Sequence, residues 1–250
     1  MGKFKIYPLD LGNITRPCER IGLHYQPGVP FTYPVLAFYI TDGEHKIMLD
    51  CGGPETVCEA KMPYSQTEEQ RITNQLAKLG VSPGEIEMVV ITHLHWDHTW
   101  NLNLFKNAKF VVQKRELEYS VTPCEVHKLT YCHWWRLYEI NFTVIDGDMQ
   151  LMDGLSVITT PGHTPGSQSV VVETEAGTFV YIADLSNLDD TWEKHPSPGS
   201  SDGERQSAYR YGWQSSPERA GNRCGPDPAG SSAEKAPGIW SSACPGQRSG

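Results

Sequence analysis

Three histidines and an aspartate crowd into six positions of the stretch ITHLHWDHTW, as His93, His95, Asp97 and His98. Imidazole nitrogen and carboxylate oxygen at such density, with no thiolate among them, make up the donor set of zinc and other first-row divalent cations. The apolar run IEMVVITHL just upstream reads as a strand covered on both faces, which would hold the cluster at a strand's carboxyl end. A fixed backbone there can aim several side chains at one point. A single histidine would read as a packing or surface residue; H-x-H-x-D-H after a buried strand makes a coincidental polar loop the poorer explanation. Two more stretches join it. TTPGHTPGSQ sets His163 between two Pro-Gly pairs, a rigid turn behind LSVITT. VYIADLSN ends an apolar strand on Asp184. Either residue alone would pass for a turn residue or a helix cap, so their case depends on the cluster they accompany.

The elements that must position these groups alternate between strand and helix. KFKIYPL, VLAFYIT and HKIMLDCGG carry β-branched and aromatic residues closed by Gly or Asp, the pattern of strands joined by tight turns. In SQTEEQRITNQLAKLG, Ser65 is placed to cap with Glu68, Ile72, Leu76 and Leu79 share a face, and Gly80 supplies a left-handed stop. AKFVVQ reads as a strand and KRELEYS as the start of a helix. The Trp- and Tyr-rich segment YCHWWRLYEI that follows is expected to cover an edge or line a pocket. Strand signals recur at NFTVID, LSVITT, SQSVVVET and GTFVYIAD, giving a layered α/β pattern with two β-rich halves and no fixed-period repeat.

Composition narrows the partners. The chain has 250 residues, 38% of them hydrophobic, and a net charge of −9. Residues 1–196 hold 25 acids against 15 lysines and arginines, and the remainder holds 5 against 6. That balance disfavours nucleic acid, whose phosphates need clustered cations. No window approaches the roughly 20 apolar residues of a membrane span, and MGKFKIYPLD has no apolar core of an export signal. Seven cysteines without a C-x-x-C pair point to reduced thiols and a cytoplasmic protein.

After about Ser197 the character changes. Residues 197–250 contain no Leu, Val, Phe or Met and a single isoleucine, Ile239, while Gly, Ser, Pro, Ala and Arg dominate. Such a segment cannot bury a core. The expected organisation is a folded domain over residues 1–196 and a disordered or frameshifted tail over 197–250.

THLHWDH, TPGHTPGSQS and the aspartate beyond them together resemble the metallo-β-lactamase superfamily. Within it, KIYPLDLG, LDCGG and DLSNLDDTWEKH resemble the N-acyl homoserine lactonases, over roughly residues 3 to 198. The resemblance implies an αββα sandwich of two facing mixed sheets flanked by helices, incomplete at its carboxyl end, with a dinuclear metal site at one edge. It implies that His93, His95 and His163 bind one divalent cation, Asp97 and His98 a second, and Asp184 both, with zinc the first expectation. A shared hydroxide would then attack the lactone carbonyl of an N-acyl homoserine lactone, with Asp97 returning a proton to the leaving alkoxide.

The chain departs from the family in two places. No histidine follows His195, where the family supplies one more ligand from a Gly-His-Asp motif, and Asn187 stands where the lactonases carry a tyrosine. A frameshift or splice-like replacement of the final third is the hypothesis that would account for the lost ligand and the lost apolar residues together. Two alternatives stay open: a thioester or other ester hydrolase on the same scaffold, and a degenerate, non-catalytic relative holding one metal or none. His24, His45, His127, His133 and His195 read as surface or packing residues, Cys51 as a buried small residue, and Tyr131, Trp134, Trp135 and Tyr138 as core or edge cover with an acyl-chain groove as the alternative.

Overall fold

The computed structural model describes residues 3–17, 28–54, 64–132 and 134–185. The tail, Asn187, His24, His133 and His195 therefore lie outside the described residues. Strands β1 (Lys5–Pro17), β2 (Pro30–Thr41), β3 (Lys46–Leu49), β4 (Tyr64–Ser65), β5 (Met88–Val90), β6 (Lys109–Gln113) and β7 (Phe142–Ile145) form one sheet. Its order is β4-β1-β2-β3-β5-β6-β7, antiparallel through β3 and parallel from β3 to β7. Strands β8 (Met149–Met152), β9 (Leu155–Thr159), β10 (Gln168–Thr174) and β11 (Gly177–Tyr181) form a second sheet, antiparallel throughout among the described residues.

Side-chain alternation explains how one sheet serves two cores. Phe38, Ile40, Ile47, Leu49, Val90 and Val111 point between the sheets, onto Val157, Val170, Val172, Phe179 and Tyr181 of the second. Their neighbours Tyr39, Met48, Val89 and Val112 point the other way, into the core under the helices. That two-sided cover is why IEMVV carries so little polarity. The helices α1 (Ile72–Lys78), α2 (Trp96–Thr99), α3 (Lys114–Val121) and α4 (Trp134–Leu137) close this outer face through Ile72, Leu76, Trp96, Leu117 and Leu137.

The start of α1 differs from the sequence expectation. Ser65 belongs to β4, which pairs with Asn13 and Ile14 of β1, so it is withdrawn from capping. Thr67 takes that place: its N–H donates to Gln70 Oε1 at 2.9 Å, one half of a capping box on a short 3-10 turn ahead of the helix. Ile72 and Leu76 are buried while Leu79 is 36% exposed, so the apolar stripe is narrower than the i, i+4, i+7 reading. Gly80 ends the helix at φ +70, as expected.

The Phe38 ring lies 5.4 Å from Phe179 and 4.9 Å from Tyr181, edge-on to both, and so bridges the sheets. Phe38→Ala is expected to cost about 3–5 kcal/mol in equilibrium urea unfolding, against within about 0.5 kcal/mol for Val144→Ala on the exposed face of β7. Equal losses for the two would contradict the inter-sheet core.

Candidate metal centre

Three strand ends from both sheets meet at one edge of the sandwich. The loop after β5 carries His93 and His95, and α2 continues it with Asp97 and His98. His163 lies in the turn between β9 and β10, and Asp184 in a short 3-10 turn beyond β11. The His93 ring stands in the middle, with centroids 4.5 Å from His95, 4.2 Å from His98 and 4.8 Å from His163. His95 Nδ1 faces His163 Nε2 at 3.0 Å. Asp184 reaches both sides, with Oδ1 3.4 Å from His98 Nε2 and Oδ2 3.4 Å from His163 Nε2. One ligand atom each from His93, His95 and His163 falls within 4.8 Å of the others, and the same holds for His93, His98 and Asp184. Asp97 sits at the rim, Oδ2 3.9 Å from His98 Nε2, where it lines a small cleft with Asp184, Tyr33 and Leu36. All six residues singled out in the sequence are thus brought together.

The donor chemistry fits a divalent cation. His93 Nε2 and His95 Nε2 are buried without a hydrogen-bond partner, an arrangement that costs free energy unless something occupies the site. Burial, followed by the neighbouring imidazoles, holds the pKa of both rings well below the ordinary histidine value, so they stay neutral and keep a lone pair free. Burial would also depress His98, but the charges of Asp184, Asp50 and Asp97 outweigh it and raise His98 well above its usual value. For Asp184, burial opposes ionisation while His98 and His163 overcome it, and its carboxyl falls well below the carboxylate range. Burial raises Asp97, with His98 opposing and Asp184 adding to the rise. A field that favours a proton on His98 favours a cation in the same place.

One positioning residue lay hidden inside the LDCGG turn. Asp50 is fully buried at φ +58, a left-handed backbone rarely adopted by a residue other than glycine. It accepts the Thr92 N–H at 2.8 Å, the Thr92 hydroxyl at 2.8 Å, the His98 Nδ1–H at 2.8 Å and the Tyr181 hydroxyl at 3.0 Å. The His98 tautomer is thereby set, and Nε2 turns toward Asp184. Gln168, from the quoted TTPGHTPGSQ, ties the two histidine loops: its side chain donates to the Ile91 carbonyl at 2.6 Å and its N–H to the Thr92 carbonyl at 3.0 Å. A second buried carboxylate, Glu116, reaches the centre from α3. The available signal was the polar residue in an otherwise apolar strand end, which a single sequence does not separate from a turn.

Of the other residues singled out, Tyr138 is 75% exposed rather than core, and the side chains of Trp134 and Trp135 lie outside the described residues. His45 pairs with Glu87 at 2.6 Å on the surface. His127 packs its ring 5.8 Å from His95 and shares a 3.0 Å hydrogen bond with the Tyr119 hydroxyl. Cys51 is fully buried, and burial pushes its thiol pKa well up. Tyr131 is buried with its ring 4.8 Å from His95, and with Tyr138, Leu137 and Phe142 it lines a cavity of about 660 Å³. Asp50→Ala would strand the Thr92 and Tyr181 donors in the interior and release His98. It is expected to lower unfolding free energy by on the order of 3 kcal/mol and to weaken zinc binding in a chelator competition; an unchanged zinc affinity would refute the positioning role.

The family model described as "Metallo-beta-lactamase superfamily" matches residues 31–220. N-acyl homoserine lactonase AiiA of Bacillus thuringiensis subsp. kurstaki is 29% identical over 201 residues, covering 76% of this chain and 78% of the relative. N-acyl homoserine lactonase AttM of Rhizobium radiobacter is 29% identical over 220 residues, covering 80% and 82%. A solved N-acyl homoserine lactone hydrolase with the product N-hexanoyl-L-homoserine bound at its catalytic metal center superposes with a TM-score of 0.69 at 28% identity, over 83% of this chain and 86% of that one. Since the family match takes in both histidine loops and Asp184, the chain belongs to the metallo-beta-lactamase superfamily, as a metal-dependent hydrolase.

Proposed function

We propose that this chain opens the lactone ring of N-acyl homoserine lactones with the aid of two divalent cations, zinc first among them. His93, His95 and His163 would hold one cation, Asp97 and His98 the other, and Asp184 both. The observation that carries the reading is the convergence of these six side chains at one sandwich edge, in a chain similar to N-acyl homoserine lactonases along most of its length. Such a cation pair, when bound, polarises an acyl carbonyl and brings the pKa of a water toward neutrality.

The side chains do the rest. Neutral His93 and His95 present lone pairs rather than protons. Asp50 keeps His98 Nδ1 occupied, so only Nε2 faces the centre. Asp97 Oδ2, at the rim, takes the proton given up by the attacking water and returns it to the alkoxide oxygen released as the acyl C–O bond breaks. Water thus adds across one ester bond and nothing else is consumed. Tyr131 touches His95 with its ring and also lines the 660 Å³ cavity, which offers an acyl tail an apolar seat next to the centre. Cys51 and Cys124 are free thiols, in keeping with a cytoplasmic setting, and a small-molecule substrate suits the acidic chain better than nucleic acid.

The test is base titration of lactone hydrolysis by full-length protein purified with zinc, beside His93→Ala. The wild type is expected to release acid from the lactone faster than from a glutathione thioester, and His93→Ala to lose about 100-fold or more, beyond the loss typical of a residue that only orients a ligand. Equal inertness of the two proteins would remove the catalytic reading. Metal analysis after gel filtration is expected to return two equivalents, and a chelator to abolish turnover; one equivalent or fewer would favour the non-catalytic remnant.

A further inference from the structure

We propose that Glu116 is a positioning residue that sets the spacing of the two histidine loops and thereby the affinity of the cation position built from His93, His95 and His163; this rests on the metal-binding reading above. Glu116, in the first turn of α3, is fully buried. Its Oε1 accepts the Leu94 N–H at 2.9 Å and the Tyr131 hydroxyl at 2.7 Å, and its Oε2 accepts the Thr164 hydroxyl at 2.5 Å. Each donor adjoins a ligand of that one position. Leu94 lies between His93 and His95, Thr164 follows His163, and the Tyr131 ring packs on His95. Among the described residues no lysine or arginine pairs with this carboxylate. A buried acid without a cation is costly, and three donors converging on it offset that cost only while both loops stay in place.

The backbone repeats the message. A Cβ on Gly166 would stand 2.1 Å from the Glu116 nitrogen and 2.4 Å from its Cα, so the turn holding His163 rests directly on α3. One strut therefore touches both loops, by side chain and by backbone. Asp50 performs the matching task for His98 on the other side of the centre. The two carboxylates serve separate cation positions.

Zinc affinity is measured by competition with a chromogenic chelator, and coordination by the visible spectrum of the cobalt-loaded protein, for full-length wild type, Glu116→Gln, Thr164→Val and Glu118→Gln. Glu116→Gln keeps the side chain's length but replaces one acceptor with a donor. Thr164→Val leaves the carboxylate and its other two bonds intact. Both are expected to bind zinc about 10- to 100-fold more weakly and to shift the cobalt bands, with far-UV dichroism like the wild type, while the exposed control Glu118→Gln matches wild type. Wild-type zinc affinity with an unshifted cobalt spectrum in either variant overturns the inference, as does a wild-type protein that binds no zinc. Should Glu116→Gln fail to fold, Thr164→Val decides. A wild type that binds zinc yet leaves lactones intact removes the reaction proposed above and leaves this inference standing.

Discussion

A carboxylate taken out of water must be met by donors or by a cation, and Asp50 meets that demand with four hydrogen bonds drawn from three parts of the chain. Thr92 brings the loop after β5, His98 brings α2, and Tyr181 brings the last strand of the second sheet. Satisfying one buried acid thus pins the elements that carry the clustered histidines and Asp184. The positive φ of Asp50 has the same origin: a strained backbone persists only where its surroundings over-determine it. Ala183, immediately before Asp184, shows the same conformation at φ +47.

The centre assembles groups that would not gather by themselves. His93 and the three imidazoles packed around it lose hydration and cannot all carry charge, in line with the lowered pKa of His93 and His95. Their cost is borne by apolar packing elsewhere. The larger sheet buries both faces, one against the second sheet and one against the helices, so its strand ends are rigid where the histidine loops begin. The rim is less crowded: Asp97 remains partly open to the cleft beside Tyr33.

Hydrogen bonds also run between loops rather than only within them. Gln168 spans from the His163 turn to Ile91 and Thr92, and its side-chain Oε1 accepts from the Gln113 amide at 2.8 Å at the end of β6. Cys51 N–H donates to the His98 carbonyl, and the Asn101 amide donates to the carbonyls of Cys51 and Gly53 at 2.9 and 2.7 Å, which stitches α2 to the turn after β3. Each tether joins residues tens of positions apart. Small shifts in any one strand end are therefore shared among the clustered side chains.

What the sequence determined by itself was the local chemistry: H-x-H-x-D-H at the end of an apolar run, a histidine locked between Pro-Gly pairs, an acid closing a strand, and the strand periods that place all three at strand ends. Those signals are local because spacing, turn residues and two-sided burial leave their mark within a few positions. Only the tertiary structure decided that Thr67 rather than Ser65 caps the turn before α1, since β4 claims Ser65 by pairing with a strand 50 residues away. It also decided that Asp50 and Glu116, one buried in a glycine turn and one in the charged opening of a helix, are the buried acids bonded to the loops that carry the histidines. A carboxylate's role depends on which donors surround it, and those donors come from distant segments that no local pattern joins.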